Sequence, residues 1–117
     1  MPTTPAHAGR FPFMPAKRRP VERIQTLHPD PSKGGPRIIR WKYEAVREAI
    51  LEAVPREPPG LPFKELPAKV RSTLDSRILA DLGSVAWYTV TVKLDLEARG
   101  ELARVEGARP QHLIRMD

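Results

Sequence analysis

The sequence predicts an α+β fold of winged helix-turn-helix type: three main helices, then a C-terminal β-hairpin wing, behind a basic, proline-rich N-terminal arm. Three observations predict it. The stretch Ser84 to Gly100, SVAWYTVTVKLDLEARG, reads as one complete helix, with a serine able to cap its first free N–H groups and a glycine suited to the left-handed position that ends a helix. The segment directly after it, ELARV, reads as a strand leaving the helix at once. Upstream, WKYEAVREAILEAV carries a core stripe at helical spacing.

Residues 1–20 contain Pro2, Pro5, Pro12, Pro15 and Pro20 and no regular periodicity, so a disordered or extended tail is expected. Lys17, Arg18 and Arg19 are its densest basic run. Residues 21–40 form an arm of strand-loop-strand character. VERIQTL is β-compatible, HPDPSKGGP is a loop by composition, and RIIR is a second short apolar piece. The arm's Ile24, Leu27, Ile38 and Ile39 are candidates to cover one side of the main helix.

Residues 41–117 make the winged-helix domain. Its first helix, Trp41 to Val54, buries Val46, Ala49, Ile50, Ala53 and Val54 and stops at Pro55, because the residue before a proline disfavours the helical region. The second, Phe63 to Leu74, buries Phe63, Leu66, Val70 and Leu74; Pro67 confines its start to Lys64 or later. Residues 75–83 read as a short helical turn capped by Asp75 and closed by Gly83. Residues 102–105 and 112–116 pair as the wing, with Leu61 placed to add a short third strand.

The main helix has two apolar sides. At 100° per residue, Val85, Tyr88, Val92 and Leu96 share one, and Trp87, Val90, Leu94 and Ala98 share the other. Thr89, Lys93 and Glu97 form one polar stripe between them; Thr91 and Asp95 form the second. Two apolar sides imply burial on both, one against the other helices and one against the wing, the arm or a second protein.

These matching pieces carry a resemblance: LHPDP at 27–31, RI at 37–38, KYEAVREAILEAVP at 42–55, GLPFKEL at 60–66 and GSVAWYTVTVKLDLEARGELARV at 83–105. Over about residues 21–117 the chain resembles a family of small, largely uncharacterised bacterial proteins of winged-helix type. The resemblance implies helices followed by a small sheet, and no activity that carries over. Pro62 departs from the pattern, which favours a threonine capping the second helix there.

Composition narrows the function. There is no cysteine, so disulfides, thiol catalysis and cysteine-ligated zinc are excluded. His7, His28 and His112 stand far apart, without metal-ligand spacing; no catalytic, cofactor or metal constellation is present and no small-molecule substrate is indicated. No apolar run is long enough to span a membrane and no signal-peptide core is visible, so a cytoplasmic protein without a membrane partner is expected. The net charge is +6, yet eight of the 20 Lys/Arg and two of the 14 acids lie in residues 1–40. That leaves 12 of each in 41–117, so the folded part is formally neutral and the basic excess belongs to the arm.

Two functions fit. In the first, the chain binds double-stranded DNA, as a transcriptional regulator would. Lys17, Arg18, Arg19, Arg104, Arg109 and Arg115 would then contact phosphates, and Thr89, Thr91 and Lys93 base edges. In the second, Trp87, Val90, Leu94 and Ala98 form a contact face for a homodimer or another protein. Nucleic-acid binding is the leading expectation and the interaction or dimerisation module its alternative; neutrality of the folded part weighs against the first, and the second apolar side of the helix suits the second.

Overall fold

The computed structural model describes residues 21–117. They form a mixed α+β structure with four α-helices and two small sheets. Strands β1 (Arg23–Gln25) and β2 (Arg37–Ile39) make an antiparallel ribbon in which Ile24 faces Ile38 and Gln25 faces Arg37. Side chains alternate across a strand, so the central pair, Ile24 and Ile38, points to the core and Ile38 is 3% exposed. The loop between the strands is closed by its own polar atoms. Thr26 donates from both its N–H (3.2 Å) and its hydroxyl (2.6 Å) to the Pro36 carbonyl. The Ser32 N–H and hydroxyl both donate to Asp30 Oδ1, holding the Asp30 carboxyl below its ordinary range.

Helix α1 (Arg40–Ala53) begins without a break from β2, and Val46, Ala49 and Ile50 on its inner stripe are at most 1% exposed. The chain then adds a two-residue strand, β3 (Leu61–Pro62), and a 3₁₀ turn (Phe63–Glu65) before α2 (Leu66–Thr73). Pro67 falls in the first turn of α2, where its missing N–H breaks no intrahelical bond. The helical turn expected over 75–83 is a helix in its own right, α3 (Ser76–Leu82), so the described chain has four α-helices rather than three. Asp75 sets it apart by accepting from the Arg77 N–H at 2.7 Å, one of the bonds that starts a new helix.

Helix α4 (Val85–Ala98) has the limits its sequence prescribes. Ser84 Oγ accepts from the Trp87 N–H at 3.0 Å. At the other end Gly100 adopts φ +79°, the Gly100 N–H donates to the Glu97 carbonyl (3.1 Å) and the Glu101 N–H donates to the Leu96 carbonyl (2.9 Å). Two of the carbonyls a helix end leaves free are thereby satisfied. Strands β4 (Leu102–Arg104) and β5 (His112–Arg115) follow, and the second sheet has the order β3-β5-β4, all antiparallel. The core lies between α1, α2, α4 and this sheet, with Ile50, Leu66, Leu82, Leu96 and Leu113 fully buried. No described helix is long and apolar enough to cross a membrane.

Candidate interaction surface

Helix α4 is buried on three sides, and the fourth is apolar. Val85, Val92 and Leu96 sit in the core, and Tyr88 packs partly against it. The two polar stripes are not solvated. Thr89 is 0%, Thr91 9%, Lys93 3% and Asp95 0% exposed. The second apolar side, by contrast, leaves Trp87 46% and Val90 39% exposed, with Leu94 and Ala98 half-buried beside them and Ala86 exposed. Trp87 stands edge-on to Tyr88, with ring centroids 4.8 Å apart. Lys42 lies 5.4 Å over the Tyr88 ring and donates to the Leu82 carbonyl at 3.0 Å, which holds that corner of the surface.

The arm does not cover this face. It is pinned to another side of α4, where the Leu27 N–H donates to Asp95 Oδ1 at 2.8 Å. Asp95 Oδ2 accepts from the Tyr43 hydroxyl at 2.5 Å and from Arg99 Nε at 2.9 Å. One buried carboxylate thus joins the arm, α1 and the end of α4. Burial, then the hydrogen bond to Asp95, pushes the Tyr43 hydroxyl up to about 12. Nothing in the spacing of Leu27, Tyr43 and Asp95 announces this junction. Its only trace in the sequence is an acid, Asp95, set between the two apolar sides of the helix.

The residues assigned to base edges are buried in the structure. Lys93 Nζ pairs with Glu97 Oε2 at 3.0 Å and lies 4.6 Å over the Phe63 ring. Burial holds its pKa below the ordinary lysine value, and the hydrogen bond to Glu97 opposes that. The ring and the salt bridge turn the expected solvent stripe inward. Thr89 and Thr91 are similarly enclosed. The Thr89 hydroxyl has no hydrogen-bond partner among the described residues. Thr89→Val keeps the branched shape and removes that unsatisfied group. It is expected to stabilise the fold by about 1 kcal/mol, seen as a higher urea midpoint at unchanged slope; a lower midpoint would show that the hydroxyl is satisfied.

The arginines of the β4–β5 hairpin divide. Arg104 reaches Glu97 (3.3 Å), and Arg115 pairs with Asp117 (2.6 Å) while donating to the Leu51 carbonyl (2.9 Å). Arg109 is exposed in the turn between β4 and β5 and makes no ion pair among the described residues. Lys17, Arg18 and Arg19 lie outside the described residues. Also among the described residues, no three His, Cys, Asp or Glu side chains gather as a metal site would require.

Fold and surface together define a small α+β protein with a closed polar junction and an open apolar helix face. The chain belongs to a family of unknown function (DUF6958), whose model matches residues 23–113 and so spans the arm ribbon, all four helices and most of the second sheet. No curated protein and no solved structure matches the chain.

Proposed function

We propose that this chain is a winged-helix protein whose work is association, with the open face of α4 as its contact surface and a second copy of the chain as its partner. The winged-helix reading is supported by the order of elements: α1, a two-residue strand, α2, the short α3, α4, and a hairpin that completes a sheet of order β3-β5-β4. In this arrangement α4 takes the place of the recognition helix and β4–β5 that of the wing.

The observation that carries the functional reading is the inversion of α4. Direct readout of bases needs donors and cations on the outward face of the helix. Here Thr89, Thr91, Lys93 and Asp95 are buried, while the outward strip is Ala86, Trp87, Val90 and Leu94. Only the Trp87 indole N–H could donate from that strip. Apolar strips left open on a folded chain mark protein contacts, and an exposed tryptophan is the residue type most often found as an anchor in them.

Charge favours a second copy as the occupant. The strip carries no charged residue. The charges that α4 itself sets beside it are already paired within the chain, Lys93 with Glu97, which also holds Arg104, on one side and Arg99 with Asp95 on the other. Residues 41–117, with 12 basic and 12 acidic residues, have no net formal charge to repel a copy. One self-complementary face suffices for a two-fold dimer.

At about 100 µM, well above a micromolar Kd, the wild-type chain is expected to sediment as a dimer. Val90→Glu, at a position open in the single chain, is expected to sediment as a folded monomer with an unchanged circular dichroism spectrum. A wild-type monomer at that concentration, or a Val90→Glu dimer, would overturn the reading.

A further inference from the structure

The outer face of the β1–β2 ribbon carries charge that nothing in the fold uses. Residues paired across an antiparallel ribbon share a face, and successive residues alternate. With Ile24 and Ile38 turned to the core, Arg23, Gln25 and Arg37 share the opposite face with the half-buried Ile39. Arg23 and Arg37 are exposed and make no ion pair among the described residues, and neither does Lys33 in the loop that joins the strands. The nearby cations differ: Arg40 is held by Glu22 and Glu44. The Asp30 carboxylate beside Lys33 is occupied by Ser32.

We propose that this face binds the phosphodiester backbone of duplex nucleic acid, independently of sequence. Three features favour phosphate over an acidic protein. The cations nearest each other are arginines, whose planar forks match phosphate oxygens two at a time. Within the two strands this face has no exposed apolar anchor of the kind a protein interface builds its centre on; the exposed Val21 and Leu27 lie beyond its ends. In sequence the charge continues beyond the ribbon, since Arg19 precedes Arg23 by four residues. The whole +6 excess of the protein lies in residues 1–40, of which residues 21–40 carry +2, so a polyanion would be drawn to this end of the chain. Phosphate binding here makes no use of α4, and the proposal stands or falls apart from the dimer.

The test is fluorescence anisotropy of the full chain with a mixed-sequence duplex of about 20 base pairs, titrated across a salt series. Wild type is expected to bind at low salt with a steep log–log salt slope. In Arg23→Gln/Lys33→Gln/Arg37→Gln the slope is expected to be shallower by about 2.7, at about 0.9 for each phosphate no longer neutralised. Arg37→Gln alone is expected to reduce it by about 0.9, and serves if the triple variant melts early. Lys17→Gln/Arg18→Gln/Arg19→Gln should keep the ribbon's share of the slope. No binding at low salt overturns the proposal. So does an unchanged slope in the ribbon variants, which would put the phosphates elsewhere on the chain. Retention on polyglutamate without binding to the duplex overturns it in favour of an acidic protein partner.

Discussion

Asp95→Ala is expected to cost about 3–5 kcal/mol of stability, the range for removing one partner from a buried charged network. Asp95 is 0% exposed and accepts from three donors belonging to three segments. Its loss leaves the Tyr43 hydroxyl, on a side chain 5% exposed, and the Leu27 N–H without an acceptor. Each such orphaned group costs about 1–3 kcal/mol. Arg99 is more open and can turn to water, so it adds little. Asp95→Asn keeps one acceptor oxygen and should cost less. Urea denaturation gives the magnitude. Amide hydrogen exchange gives the mechanism, because the Leu27 amide should lose protection before the amides of α1 and α2 do. A loss below about 1 kcal/mol, no more than one ordinary hydrogen bond, would show that the junction does not hold the arm.

The same junction sets a pH dependence. Tyr43 ionises at about 12 in the folded chain and near 10.0 when unfolded. Above pH 10 the unfolded state therefore releases this proton first, and stability must fall as pH rises. The contribution is complete below pH 10 and disappears between pH 10 and about 12. In Tyr43→Phe that part of the fall should be absent. Lys93 works in the opposite sense, since its lowered folded-state pKa relieves the fold as pH rises.

Local and periodic features of this fold are legible in the sequence. Ser84 and Gly100 fix the ends of α4 because capping and the left-handed turn are decided within a few residues. The stripe on α1 and the two C-terminal strands are legible for the same reason. The environment of the α4 stripes is not. Periodicity gives the angle of a residue on a helix and says nothing of which neighbour covers that angle. Lys93 is inside because Phe63, from a segment 30 positions earlier, lies under its ammonium group. Asp95 is inside because Leu27, 68 positions earlier, donates to it. The apolar residues of the arm make it a candidate cover for Trp87, Val90, Leu94 and Ala98; its one backbone bond to Asp95 draws it to a different flank and leaves that face open. The separate identity of α3 is obscured by its length, seven residues between two capping signals.

Gly60→Ala is expected to cost about 3 kcal/mol or more, as positive-φ strain and overpacking against backbone add. Gly60 has φ +76°, and a Cβ there would sit 2.3 Å from the carbonyl oxygen of Leu113. That oxygen belongs to β5, which pairs through Leu113 with Leu61, the residue next to Gly60. The strand cannot retreat cheaply, because Leu113 is fully buried and also faces Arg104 across β4. The added methyl must therefore push β3 away from β5, and the link between the α1–α2 connection and the β5–β4 pair opens. Gly100→Ala is the control. Gly100 has nearly the same φ, +79°, and a Cβ there would meet nothing within 4 Å, so alanine carries the dihedral cost alone, about 1 kcal/mol. The difference between the two variants isolates the close approach of Gly60 to β5. In Gly60→Ala the Phe63 amide, which donates to the Gln111 carbonyl at 2.9 Å, should also lose its exchange protection, while in Gly100→Ala it should keep it. Equal losses of stability in the two variants would mean that β3 does not hold the β4–β5 hairpin.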